Sequence, residues 1–183
     1  MIYSSDGAEE NAAIQTAEMM LVAARTAPKA CGMDLIETII LDGEDKAKLT
    51  TTMREMGKEA NKAFFIRDAS NIDACHCVVI IGTSVTPRRL NCGLCGAVSC
   101  FDASGKGLSC AMSVTDLGIA VGSAATTAMD HRMDNRIMFS VGMAALKLKL
   151  FSNNVKVCYG MGLATKGKNV FFDRPEFKCS SET

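Results

Sequence analysis

The sequence is poor in the residues that nucleic-acid-binding and membrane proteins use. It contains no tryptophan, two tyrosines, two histidines and three prolines, and its twenty basic side chains are balanced by twenty acidic ones. Proteins that bind nucleic acid usually have a basic surplus and aromatic rings on which bases stack. The chain also has no apolar run of about eighteen residues, the length that a membrane-spanning helix needs. We therefore expect neither nucleic acid nor a membrane as a partner.

The start of the chain lacks the features of an export signal. Residues 1–10 have neither a basic region nor an apolar segment, so they do not read as a secretory signal. The nine cysteines are an odd number, and without export a disulfide framework is not expected. We therefore predict a cytoplasmic protein whose cysteines are free thiols or metal ligands. Five of them have no assigned role at this point: Cys31, Cys75, Cys77, Cys158 and Cys179.

The other four cysteines follow one another at short spacings in the middle of the chain. They have the pattern C-x2-C-x4-C-x9-C: Cys92, Cys95, Cys100 and Cys110. Thiolates are soft ligands that suit zinc and iron–sulfur clusters. Gly93 and Gly96 allow the backbone to turn tightly and direct its N–H groups toward sulfur. We predict that the loop at about residues 88–112 binds an iron–sulfur cluster through these four side chains.

Two other interpretations of the cysteines stay open. The spacing C-x2-C-x4 also begins zinc knuckles, although those usually have histidine where this chain has Cys100. Buried free cysteines without any metal are common as well. Cys75, His76 and Cys77 are reserve ligands, but alternation along a strand directs His76 away from its neighbours, so we predict a structural role for all three.

Basic residues flank the cysteine motif on both sides. Arg88 and Arg89 precede it, and Lys106 lies within the loop. Positive charges near thiolates stabilise the ionised form of sulfur. We expect these three side chains to offset the negative charge of a four-thiolate site.

Apolar periodicity predicts helices and strands in one domain that covers residues 1–183. Helices are predicted at about residues 8–27, 44–61, 113–129 and 134–150. Strands are predicted at residues 35–41, 77–82 and 155–161. Ser113 with Asp116 resembles a capping box at the start of the third helix, and Asp134 is a candidate cap for the fourth. Residues 101–109 are expected to be a flexible loop. The fold class is therefore α+β.

Several short segments, spread over nearly the whole chain, resemble a known family. They occur in this order: residues 26–29, 65–68, 91–96, 116–123, 134–138, 167–169 and 172–174. Together they resemble the ferredoxin-domain-containing family of prokaryotic proteins. The cysteine segment is also similar to the four-cysteine [4Fe–4S] domain of the corrinoid iron–sulfur protein and of membrane electron-transport complexes, where the last gap is longer. The resemblance implies a [4Fe–4S] cluster on the four cysteines of the motif: Cys92, Cys95, Cys100 and Cys110.

The scaffold resembles the nitroreductase fold. The end of the first helix at residues 23–28, the strand after it and the helix containing residues 116–120 carry this likeness. It implies a sandwich in which helices flank a central sheet, a homodimer, and FMN bound between the two subunits. Nitroreductases hold the flavin phosphate with an N-terminal pair of arginines, which this chain lacks. Lys29, Lys168 and Arg174 are the candidate substitutes.

These observations predict an iron–sulfur electron-transfer protein that passes electrons to a partner redox protein or a flavin. One alternative is an FMN-dependent, nitroreductase-like oxidoreductase, and another is a zinc-stabilised interaction domain. The sequence has no Ser-His-Asp set, no HExxH and no GxGxxG after a strand, so it does not support a hydrolase, a metalloprotease or a Rossmann dehydrogenase. No catalytic residue is assigned.

Overall fold

The computed structural model describes residue 2 and residues 4–172. This part of the chain contains six α-helices: α1 Ser5–Thr26, α2 Gly43–Glu59, α3 Ala63–Asp73, α4 Cys100–Gly105, α5 Ala111–Asp130 and α6 Phe139–Lys147. It contains four strands: β1 Ile36–Leu41, β2 Cys77–Ser84, β3 Asp134–Met138 and β4 Val155–Ala164. A 3-10 turn, Ala30–Gly32, follows α1. Arg174 and Cys179 lie outside the described residues.

The four strands form one antiparallel sheet in the order β1-β2-β4-β3. All eight residues of β2 are buried, as its continuous apolar run predicts. Because side chains alternate along a strand, β2 contributes to two cores. Val79 and Ile81 pack with α1 and α5, whereas Val78 and Ile80 pack with α2, α3 and α6. Helices therefore cover both faces of the sheet, which confirms the predicted α+β architecture.

The predicted helix at residues 134–150 is wrong in its first turn and a half. The segment Asp134–Met138 is a strand that pairs with β4, with Ile137 opposite Met161, and α6 begins only at Phe139. Ile137 is 46% exposed rather than part of a helical core face. The hydrogen bonds of the sheet ladder outweigh a helical pattern in a segment this short, since intrinsic propensity is a weak preference.

The predicted capping box at the start of α5 is also wrong. Cys110 is the N-cap residue, and Ser113 and Asp116 lie inside the helix with buried side chains. The Ser113 hydroxyl donates a hydrogen bond to the carbonyl oxygen of Thr86 at 2.8 Å. Both residues therefore fasten α5 to other segments instead of capping it.

The expected flexible loop at residues 101–109 contains the short helix α4. Ser99 is its N-cap, and the Ser99 hydroxyl oxygen accepts a hydrogen bond from the backbone N–H of Asp102 at 3.1 Å. A serine N-cap satisfies one of the free N–H groups at the start of a helix. This hydrogen bond helps to stabilise α4 although the helix is only six residues long.

The cysteine segment is held between buried elements. It begins after β2, which ends at Ser84, and it ends where α5 begins. The backbone N–H of Cys110 donates to the carbonyl oxygen of Val85 at 3.2 Å, which brings the two ends of the segment together. A loop on a rigid scaffold of this kind is a common location for a functional site. Among the described helices, none combines the length and the apolar character needed to cross a bilayer.

Candidate metal centre

The four cysteines of the motif line one small cavity. Its other lining residues are small or uncharged: Pro87, Asn91, Gly93, Ala97, Ser99, Ala103 and Ala111. Among the described residues, the thiols are therefore the only ionisable side chains that line this space. A cavity with sulfur ligands on its walls matches the chemistry of an iron–sulfur cluster.

The four thiols surround the cavity without meeting at a single point. Within the described residues, no three His, Cys, Asp or Glu side chains come close enough together to hold one metal ion. Around a single zinc ion with Zn–S bonds of about 2.3 Å, tetrahedral geometry places the sulfurs about 3.8 Å apart. In a [4Fe–4S] cluster each thiolate binds a different iron atom, so the sulfurs lie farther apart. The separation of the four sulfurs therefore distinguishes the two kinds of centre.

Two glycines shape the turn between the first two cysteines. Gly93 has φ +73° and Gly96 has φ +82°, and the backbone N–H of Gly96 donates to the carbonyl oxygen of Gly93 at 2.8 Å. These φ values lie in the left-handed region, which costs other residue types about 1–2 kcal/mol. The tight turn that places Cys92 and Cys95 on one cavity wall thus depends on glycine, as the sequence predicts.

Asn91 was not among the predicted site residues, yet it fixes the third cysteine. The Asn91 side-chain oxygen accepts a hydrogen bond from the backbone N–H of Cys100 at 2.8 Å. The backbone N–H of Asn91 donates to the sulfur of Cys100 at 3.3 Å. An N–H···S bond stabilises thiolate charge and orients the sulfur.

Cys110 is buried at the start of α5 with donors around its sulfur. Burial by itself would raise the pKa of this thiol, but hydrogen bonds from the backbone N–H groups of Ser113, Arg88 and Met112 outweigh that effect and lower the pKa. A lower pKa favours the thiolate, which is the form that binds metal. The environment of Cys110 therefore suits a thiolate, and its role as the fourth ligand stays a prediction.

The three basic residues near the motif occupy different environments. Arg88 is buried and forms an ion pair with Asp116, with 2.6 Å between Nη2 and Oδ2. Arg89 is exposed with φ +58°, and Lys106 is exposed and paired with Asp102. Solvent screens exposed charges, so only Arg88 holds its charge in a low-dielectric environment.

Three further cysteines are buried away from this cavity. Burial raises the pKa of Cys75, Cys77 and Cys158 to about 12. The ring nitrogen Nε2 of His76 lies 2.7 Å from the hydroxyl of Thr165 and does not join the neighbouring thiols. These contacts agree with a structural role rather than with reserve ligands. Cys31 is exposed in the turn after α1, with φ +58°.

The candidate residues for a flavin phosphate are only partly described. The Lys29 ammonium donates to the carbonyl oxygens of Ala24, at 2.7 Å, and Arg25 at the end of α1, so it serves as a helix C-terminal partner. Lys168 lies in the segment after β4, and Arg174 lies outside the described residues. Their role in phosphate binding stays a prediction.

Solved nitroreductases have the same fold. An FMN-bound nitroreductase from Desulfitobacterium hafniense has a TM-score of 0.54 at 12% identity, over 92% of this chain and 81% of that chain. A nitroreductase in complex with FMN from Desulfovibrio desulfuricans has a TM-score of 0.57 at 9% identity, over 85% and 75%. Nitroreductase A from Vibrio parahaemolyticus gives 0.54 at 12% identity, and this chain covers 60% of its length. The chain therefore has the nitroreductase fold, and at such identities the likeness shows the fold alone.

Sequence comparison gives the family. Residues 106–174 match the family described as "uncharacterized protein containing a ferredoxin domain (DUF2148)". This span includes Cys110 and runs from before α5 to beyond β4. A protein from Archaeoglobus fulgidus is 38% identical over 165 residues, which is 85% of this chain and 88% of its own length. The chain belongs to this family of ferredoxin-domain-containing proteins.

Proposed function

We propose that the protein is a one-electron carrier that holds a [4Fe–4S] cluster on Cys92, Cys95, Cys100 and Cys110. The observation that carries this proposal is that all four thiols line one cavity, and that no other ionisable side chain of the described part of the chain lines it. Membership of a ferredoxin-domain family supports it. When bound, such a cluster accepts and releases single electrons.

The protein's own residues bind the centre and limit the access of water to it. Cys110 and Ala103 close the buried side of the cavity, whereas Cys92 is exposed at its outer side. N–H groups from Asn91 and from the start of α5 donate to sulfur, which favours the charged thiolates. The distance from the cluster to a partner protein would be shortest on this exposed side, so we expect electrons to enter and leave there.

The surface around this outer side supports docking of a partner redox protein. It is unusually apolar for a loop, with four exposed side chains: Leu90, Leu94, Val98 and Phe101. Val98 and Phe101 are 90% and 91% exposed. Large apolar side chains exposed within one short segment often mark an interaction surface, and aromatic residues are frequent in such interfaces. Burying them against another protein would also remove water from the neighbourhood of the cluster.

A second candidate function is an FMN-dependent oxidoreductase of nitroreductase type, with the cluster as an electron relay. The fold shared with two FMN-containing nitroreductases favours it. This candidate requires a homodimer with FMN between the subunits. The outer face formed by α1 and α5 supports self-association, because it exposes Met19, Val22 and Ile119. At Gly118 and Gly122 on the same helix as Ile119, a Cβ atom would meet no other element of the described chain within 4 Å.

Iron, sulfide and zinc analysis of anaerobically purified protein tests the first candidate. We expect a brown protein that contains about four iron and four sulfide per chain after reconstitution. Alanine at each of the four motif cysteines should lower the iron content, whereas the matched variants Cys31→Ala and Cys158→Ala should keep it. Iron and sulfide below one equivalent per chain would exclude the proposal. A colourless protein with one zinc per chain would select the zinc-stabilised interaction domain.

Titration with FMN tests the second candidate. A flavoenzyme should bind FMN with quenching of flavin fluorescence, should form a dimer in light scattering, and should oxidise a nicotinamide cofactor. A protein that contains the cluster but does not bind FMN would leave the electron carrier as the function.

A further inference from the structure

A buried ion pair lies behind the cavity that the four thiols line. The Arg88 and Asp116 side chains are 1% and 3% exposed, and Arg88 Nη2 donates to Asp116 Oδ2 at 2.6 Å. The Nε and Nη1 groups of Arg88 are buried and have no hydrogen-bond partner among the described residues. Arginine does not lose its proton in proteins, so this positive charge is permanent. A buried cation with unfilled donors is costly unless negative charge lies nearby.

The backbone of Arg88 places this cation next to the fourth cysteine. The residues just before it contact the start of α5, because the backbone N–H of Cys110 donates to the Val85 carbonyl oxygen at 3.2 Å and the Ser113 hydroxyl donates to the Thr86 carbonyl oxygen at 2.8 Å. The carbonyl oxygen of Arg88 is 4.0 Å from the sulfur of Cys31. The residue before it, Pro87, lines the cavity itself. The backbone of Arg88 is therefore adjacent to the cavity and to the start of α5, and its guanidinium lies within one arginine side chain of that backbone.

Asp116 holds the guanidinium in this position. Its Oδ1 accepts the backbone N–H of Ala30 at 3.0 Å, while Oδ2 binds Arg88. Asp116 is on α5, six residues after Cys110, so one helix carries both the cysteine and the anchor of the cation. The pair thus joins the turn after α1, the segment after β2 and the first turns of α5.

The sign of the electrostatic effect follows from the charges. Four thiolates make the site negative, and reduction adds one more negative charge. A fixed positive charge behind Cys110 stabilises the reduced form more than the oxidised form, whereas the Asp116 carboxylate opposes that effect. Arg89 and Lys106 are exposed, so solvent and salt screen them.

We propose that Arg88 and Asp116 set the reduction potential of the centre, with Arg88 raising it and Asp116 moderating it. This inference rests on the proposed function, since it requires a cluster on the four cysteines. Both are positioning residues, because neither of them binds the cluster.

Anaerobic redox titration of the reconstituted protein, followed by electron paramagnetic resonance of the reduced cluster, tests the inference. Arg88→Met removes the charge at similar length, and we expect it to lower the potential. Asp116→Asn keeps an acceptor for Ala30 and removes the opposing charge, so it should raise the potential. At a fixed solution potential we expect the ratio of reduced to oxidised cluster to fall about tenfold in Arg88→Met and to rise about tenfold in Asp116→Asn. A tenfold change in this ratio corresponds to a shift of about 59 mV in a one-electron reduction potential. Lys106→Met is the matched control, an exposed cation in the same loop, and should leave the ratio unchanged.

The direction of the two shifts separates an electrostatic from a merely structural role. Shifts in the same direction, or none, would overturn the inference even though the cluster is present. If Arg88→Met does not retain a cluster, the Asp116→Asn variant decides: a higher potential supports the inference, and an equal or lower one rejects it. A wild-type protein without any cluster would instead reject the proposed function itself.

Discussion

Asn91 holds Cys100 through two hydrogen bonds of opposite direction. The Asn91 side chain accepts the backbone N–H of Cys100, and the Asn91 backbone N–H donates to the cysteine sulfur. Asn91 adopts φ +49°, a left-handed conformation that asparagine tolerates better than most residues. One residue type therefore satisfies both the backbone geometry and the hydrogen bond that this site requires.

Asn91→Ala should loosen the site. It removes the acceptor for the Cys100 N–H, worth about 1 kcal/mol, and places alanine in a left-handed conformation at a further cost of about 1 kcal/mol. We expect iron to be released to a chelator about ten times faster or more, measured by absorbance of the iron–chelator complex. Asn91→Asp keeps the acceptor and the tolerance for this conformation, so it should release iron nearly as slowly as wild type. Equal rates in wild type and Asn91→Ala would contradict this account.

The features that the sequence predicts well depend on contacts between near neighbours. The apolar run of β2 and the glycines between Cys92 and Cys95 determine local geometry, so each can be interpreted without knowledge of the rest of the chain. Asn91 carried a signal as well, because asparagine immediately before a tight turn is a typical left-handed residue. An interpretation that considers only the thiolates of the motif does not include this preference of asparagine.

The features that the sequence does not predict depend on distant pairing. Asp134–Met138 becomes a strand only because β4, about twenty residues later, offers an edge for pairing. Asp116 has the spacing of a capping box with Ser113, but its actual partner, Arg88, lies 28 residues earlier. No periodicity in one chain reveals which buried charge will pair with which, so the ion pair behind the cavity becomes visible only in the fold.

Asp68 should be a strong determinant of stability, because it joins α3 to α6. Its Oδ2 accepts the hydroxyl of Ser140 at 2.6 Å, and its Oδ1 accepts two N–H groups of Arg67. Asp68→Ala leaves a buried hydroxyl without its partner, and we expect a loss of about 2–3 kcal/mol in the free energy of unfolding. Asp45→Ala, which removes an exposed pair with Lys48, should change it by less than about 1 kcal/mol. Urea unfolding measures both, and similar losses would contradict the assignment.

Gly142 should not tolerate even alanine, because α6 lies directly on β4 at this point. A Cβ atom at position 142 would lie 1.9 Å from the carbonyl oxygen of Cys158, which is backbone and cannot rotate away. Overpacking of this kind should cost at least about 3 kcal/mol of unfolding free energy, despite the better helix propensity of alanine. The matched control is Gly122→Ala on α5, where a Cβ atom would meet no described atom within 4 Å apart from its chain neighbours and the backbone of its own helix. It should be neutral or stabilising by up to about 1 kcal/mol in urea unfolding, and equal stability of the two variants would refute the contact.

Alkaline pH should destabilise the protein through its buried thiols. Burial raises the pKa of Cys158 to about 12, whereas the same thiol in the unfolded chain ionises near its ordinary value of about 9. Between these values the unfolded state has lost a proton that the folded state keeps, so the free energy of unfolding falls as pH rises from about 9 to about 12. The contribution is fully present below pH 9.

The Cys158→Ala variant isolates this effect. Guanidinium unfolding under reducing conditions at several pH values should give a shallower decline above pH 9 than in wild type, by about 1 kcal/mol per pH unit. The slope is the readout, because the lost hydrogen bond from the thiol to the Gly142 carbonyl oxygen changes the absolute stability at every pH. Cys31→Ala removes an exposed thiol and should keep the wild-type slope. If Cys158→Ala declines as steeply as wild type, this thiol ionises in the folded protein as readily as in the unfolded chain, and its burial between α6 and β4 has no electrostatic consequence.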